Sequence, residues 1–119
     1  YADHGSMINA QQASAKQISA FYGSIVDASG ATTSGSDANG FAAAYGSIVD
    51  ASGATTSGFT NYGFSATHGS IINANNATAS EEGLYGFYVH NGGIIAAYGA
   101  TGTLSKTANE ITMRGIIFQ

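Results

Sequence analysis

A seven-residue phrase recurs five times in this chain and constrains its fold more than any other feature. The copies are His4-Gly5-Ser6-Met7-Ile8-Asn9-Ala10, Tyr22-Gly23-Ser24-Ile25-Val26-Asp27-Ala28, Tyr45-Gly46-Ser47-Ile48-Val49-Asp50-Ala51, His68-Gly69-Ser70-Ile71-Ile72-Asn73-Ala74 and Asn91-Gly92-Gly93-Ile94-Ile95-Ala96-Ala97. Their first glycines lie 18, 23, 23 and 23 residues apart, a period in the range of repeat architectures. Two consecutive copies are identical over fourteen positions, Tyr22 to Gly35 and Tyr45 to Gly58, as recent duplication would leave them. Upstream of the phrase, Phe41, Phe64 and Phe87 share an offset, with Ile18 in the equivalent slot of the shorter first unit. Downstream, Ala13, Ala31, Ala54, Ala77 and Ala100 form a column, followed by Ser14, Thr32, Thr55, Thr78 and Thr101.

Helical repeats are excluded by composition. Only 8% of the residues are charged, and 17 glycines are spread through every segment; each would cost a helix roughly 1 kcal/mol relative to Ala. Short β-branched and aromatic runs bounded by Gly, Ser, Asn and Asp read as strands. The expected fold is therefore all-β: a parallel β-helix or β-solenoid with a repeat of about 23 residues. Stacked coils turn sequence columns into ladders, Ile25 over Ile48 over Ile71 over Ile94, and Phe41 over Phe64 over Phe87, at strand spacing of about 4.8 Å. Residues 1–103 form the five-copy repeat region, and 104–119 are expected to cap it: Arg114 to Gln119 reads as a strand-like run, and a short helix over Ser105 to Arg114 is an option with little support in the sequence.

Each unit carries two adjacent apolar residues, such as Ile25-Val26 and Ile71-Ile72, which point to opposite faces of a strand. Both faces are therefore expected to be dry, and an intertwined homotrimer would bury one row in a core and the other against a neighbouring chain. Three fixed positive charges against seven acids leave too little cation to neutralise phosphates, which argues against nucleic acid. No apolar run approaches the length of a membrane span. The chain opens without Met inside a repeat-like phrase, the beginning expected of a segment of a longer protein.

Candidate chemistry is sparse. Asp27 and Asp50 share a column with Asn9 and Asn73, and paired carboxylates can divide acid and base roles; an Asp/Asn column after a strand also reads as a ladder of turns. His4 and His68 share a column with Tyr22, Tyr45 and Asn91, where a ring is expected to cover a glycine. No cysteine supports a metal cluster, and neither a metal site nor a cofactor is assigned. Phe59, Tyr62, Tyr85, Tyr88 and Tyr98 gather near Asn61, Glu81, Glu82, His90 and Asn91, around stretches that vary between copies, and loops of this kind carry function on a repeated scaffold. Tyr62, Tyr85, Tyr88, His90 and Asn61 are the candidate binding residues.

Strands rich in Gly, Ser, Ala and Thr, with Ile-Ile and Gly-Phe columns and no Pro or Cys, resemble the β-helical shafts of viral and bacteriophage tail fibres and tailspikes. The resemblance implies a stable homotrimer in a virion tail or surface fibre, attached to a host-surface glycan or protein; an extracellular or cell-surface setting is the alternative. Some members of these families cleave polysaccharide, for which Asp27, Asp50, Glu81 and Glu82 would be the candidates; no catalytic site is assigned. A third reading is an ice-binding solenoid using Thr32, Thr55, Thr78 and Thr101. It is weakened because the adjacent Thr33 and Thr56 give way to Ala79 and Gly102.

Overall fold

The computed structural model describes residues 1–80, 83–102, 109–111 and 116–118. The chain winds through three strands per coil. The first coil contributes β1 (Met7–Asn9), β2 (Ser14–Ala15) and β3 (Ile18–Phe21), and the second β4 (Ile25–Asp27), β5 (Thr32–Ser34) and β6 (Phe41–Ala44). β7 (Ile48–Asp50), β8 (Thr55–Ser57) and β9 (Tyr62–Thr67) follow, then β10 (Ile71–Asn73), β11 (Thr78–Ala79) and β12 (Tyr85–His90). β13 (Ile94–Ala96), β14 (Thr101–Gly102), β15 (Asn109–Ile111) and β16 (Ile116–Phe118) complete the described strands. Three parallel sheets result, ordered β1-β4-β7-β10-β13-β16, β2-β5-β8-β11-β14 and β3-β6-β9-β12-β15. The architecture is an all-β solenoid of about four turns.

Register follows the sequence columns, pairing Ile25 with Ile48, Ile48 with Ile71 and Ile71 with Ile94, and aligning Phe41 with Phe64 and Phe64 with Phe87. The interior is assembled from all three sheets. Val26, Val49, Ile72 and Ile95 enter from the first, Thr33, Thr56 and Ala79 from the second, and the three phenylalanines from the third, all buried. The phenylalanine rings stack with centroids 5.0 and 5.2 Å apart, adding about 0.5–1.5 kcal/mol per pair beyond area burial.

Two kinds of corner account for the recurrent small residues. Between the first and second sheets, Ala31 N–H donates to Ala28 O at 3.0 Å, and Ala54 to Ala51 and Ala77 to Ala74 repeat the turn. Its third residue has positive φ, supplied by Gly30, Gly53, Asn76 and Gly99, the residue types that tolerate this conformation best, and by Gln12 in the first copy. The alanines flanking it are buried, since only a methyl fits where two sheets meet. At the corner between the third and first sheets, Ser24, Ser47 and Ser70 are buried too. Ser24 N–H donates to Ser47 Oγ at 3.2 Å and Ser47 N–H to Ser70 Oγ at 3.1 Å, so each coil satisfies a backbone donor of the one before it.

The structure corrects two expectations. Asn109–Ile111 is a strand paired with Phe87–Val89, not part of a helix over Ser105 to Arg114, and Ile116–Phe118 pairs with β13. Where it is described, the C-terminal segment therefore continues two sheets; Lys106 and Arg114 lie outside the described residues. Thr33 and Thr56 point inward, and Thr33 Oγ1 donates to Thr56 Oγ1 at 2.8 Å within the core. They are not a second outward threonine row, so their replacement by Ala79 and Gly102 leaves the outer face unaffected.

Candidate functional site: an aromatic track beside an apolar face

At the third-to-first corner the backbone is held in the left-handed region in every copy. His4, Tyr22, Tyr45, His68 and Asn91 all lie at φ between 49 and 57°, each followed by a glycine at φ between 73 and 77°. Two successive positive-φ residues are the type I′ turn pattern, for which Asn-Gly is the favoured pair. Only the last copy uses it; the other four place a ring where L-residues pay a steric penalty. Ring stacking offsets that penalty. Centroids are 5.0 Å apart for His4 and Tyr22, 4.8 Å for Tyr22 and Tyr45, and 4.6 Å for Tyr45 and His68, with interplanar angles of 19, 5 and 25°. From coil to coil the rings cover one another.

The candidate binding residues continue this ladder. His90 meets His68 edge-on at 6.4 Å, Tyr88 lies 6.1 Å from His90, Tyr62 stacks on Tyr88 at 4.0 Å and 3°, and Tyr85 follows at 6.0 Å. Tyr62, Tyr85, Tyr88 and His90 thus belong to one track running along the corner and onto the third sheet. Asn61 supports it through its backbone: its carbonyl accepts from the N–H groups of Leu84 and Tyr85 at 2.7 and 3.2 Å. Phe59 and Tyr98 stand apart from the track. Phe59 is buried, and Tyr98 stacks on Phe118 at 6.2 Å.

Three residues after each corner ring comes the outward member of the aliphatic pair. Ile25, Ile48 and Ile71 are 39, 42 and 41% exposed, in register, while Val26, Val49 and Ile72 beside them are buried. Met7 extends this column at one end, where Met7, Ile8, Asn9, Ile25 and Asp27 line a recess of about 280 Å3. The polar column on the same face is turned to local work: Asp27, Asp50 and Asn73 accept from the backbone N–H groups of Ser29, Ser52 and Asn75 at 3.2, 3.0 and 3.1 Å. Gln11 Nε2 also donates to Asp27 Oδ2 at 2.6 Å. These bonds, the Gln11 contact first, hold the Asp27 carboxyl below the usual carboxylate range, opposite to what a general acid needs. Glu81 and Glu82, the other acidic candidates, lie outside the described residues.

Ser14, Thr32, Thr55, Thr78 and Thr101 form an exposed hydroxyl row on the second sheet. Ser34 and Ser57, paired in register, stand two residues further along their strands on the same face. Among the described residues, no group of three or more His, Asp or Glu side chains is arranged to hold a metal ion, and no helix is long and apolar enough to cross a membrane.

The sequence pointed to the variable-loop tyrosines but missed that the His/Tyr column joins them. The available signal was a bulky residue before glycine at a position where asparagine also occurs, the signature of a left-handed turn. Comparison of this chain with protein-family models, with curated proteins and with solved structures finds no match.

Proposed function

We propose that this chain is a structural and adhesive segment of a homotrimeric fibre, of the kind viruses use for host attachment, built on coils of about 23 residues. The observation that carries this reading is the in-register column Ile25, Ile48 and Ile71, each about two-fifths exposed. A continuous aliphatic stripe of this length is costly in water and marks a covered surface. The occupant is a second and third copy of the same chain. Around a threefold axis parallel to the stack, three such columns face one another, every isoleucine layer closes into an apolar ring, and growth along the axis makes a fibre. The aromatic track, at a corner and on a different sheet, is left to contact a host-surface glycan or protein.

The test is a pair of double variants. Ile48→Asp/Ile71→Asp places charge on the outer column and is expected to yield a folded monomer, with β-sheet circular dichroism retained and native mass reduced to one chain. Tyr62→Ala/Tyr85→Ala should keep the assembled mass. An Ile48→Asp/Ile71→Asp protein of unchanged mass would sink the interface.

One observation favours a second reading, ice binding: with Thr33 and Thr56 inside, the second sheet presents a threonine row flanked by Ser34 and Ser57, outward hydroxyls repeating at strand spacing of about 4.8 Å. Thermal hysteresis that Thr55→Lys abolishes would support it, and its absence in the parent protein would remove it.

A further inference from the structure

We propose that the ligand of the aromatic track is an uncharged, linear glycan lying along the solenoid axis and read by the edges of the corner rings, an inference that rests on the attachment role above. Sugars commonly lie flat on an exposed ring face, and between neighbouring corner rings that mode is closed. With centroids 4.6–5.0 Å apart and planes within 25°, His4, Tyr22, Tyr45 and His68 turn their faces to one another. What the column offers solvent is its rim, and Tyr22 and Tyr45 are 50 and 46% exposed. The rim carries phenolic hydroxyls, imidazole nitrogens and, one coil further, the Asn91 amide, which bonds His68 Nε2 at 3.2 Å. Such groups both donate and accept, as sugar hydroxyls do.

Three properties narrow the ligand. The groups repeat once per coil along a straight line, so a ligand that repeats along its length gains contacts with each added unit, whereas a compact one engages one or two. The column carries no fixed positive charge. Its nearest charged neighbours in sequence are Asp3, whose carboxylate lies 2.8 Å from His4 Nδ1, and Asp27 and Asp50. Lys16, the one fixed side-chain cation among the described residues, stands just after the second sheet's first strand. A sulfated or uronic-acid polymer would find acids close to the column in sequence and, among the described residues, no fixed side-chain cation beside it to offset them. Finally, the rings are held by positive-φ turns and by their neighbours, so little side-chain freedom is lost when a ligand docks, and modest hydrogen bonds suffice for affinity.

The experiment uses the assembled protein on an array of linear neutral oligosaccharides (glucans, mannans, galactans and chitin oligomers, from two to ten sugars) printed beside sulfated and uronic-acid chains. Neutral chains should bind with affinity rising at least about tenfold from dimer to octamer. Tyr22→Phe/Tyr45→Phe keeps the stacked rings and removes only two rim hydroxyls; it should weaken binding about tenfold, as expected for two lost hydrogen bonds, with native mass and circular dichroism unchanged. Tyr22→Asn/Tyr45→Asn, which retains residues suited to left-handed turns, should lose at least as much. Full affinity in the phenylalanine variant would overturn edge recognition. Binding confined to acidic chains, binding indifferent to length, or no glycan binding would overturn the ligand class, a protein receptor being the remaining occupant in the last case. None of these results bears on assembly through the isoleucine face, whose failure would show instead as a monomeric mass.

Discussion

Gly93 stands where three of the other copies bury a serine and the first exposes Ser6, and a sequence comparison alone would favour restoring that serine. The structure argues the reverse: a Cβ on Gly93 would collide with the Ala66 carbonyl, a backbone group of the preceding coil that cannot swing aside. Gly93→Ser is expected to destabilise the protein by about 1–3 kcal/mol, the usual cost of overpacking, in chemical denaturation; a neutral or stabilising result would mean the last coil shifts freely. Asp27 makes a prediction about acid. Its carboxyl is held low by Gln11 first and Ser29 next, so its contribution to stability is complete above the ordinary carboxylate pKa of about 3.9 and is lost as pH falls through the lower folded value. Gln11→Ala should therefore lower the thermal midpoint at pH 7 and leave less to lose between pH 5 and pH 2. Parallel melting curves for the two proteins across that range would show this contribution to be absent.

At the level of strands, the fold was legible because columns in sequence became ladders in space. Ile25, Ile48, Ile71 and Ile94 are registered partners, as are Phe41, Phe64 and Phe87. Which member of each aliphatic pair faces inward was not legible, for a physical reason: alternation identifies the wet side of a strand, and here neither side is polar enough to break the tie. The threonine pairs misled in the same way, since Thr32 and Thr33 look alike in sequence while one is exposed and the other buried. Of the binding candidates, Tyr62, Tyr85, Tyr88 and His90 were singled out by their clustering in and near the variable stretches, but their union with Tyr22, Tyr45 and His68 depended on ring stacking between coils, which has no sequence pattern beyond the turn itself. Phe64, packed between Phe41 and Phe87, sets the scale of the core: Phe64→Ala should cost about 3–5 kcal/mol in a denaturant titration, far more than Tyr62→Ala on the half-exposed track. Equal costs would mean that core and surface columns are not distinct.

The whole molecule is a stack whose three faces differ in chemistry: aliphatic on the first sheet, hydroxyl on the second, and partly aromatic on the third. A single-chain solenoid has no use for the first of these in water, and the Asp and Asn side chains that share the face are occupied by their own turns. If like chains assemble through that face as proposed, light scattering will give a native mass three times the 12.0 kDa chain mass, persisting on dilution to the micromolar range; a mass of one chain at every concentration would rule the assembly out.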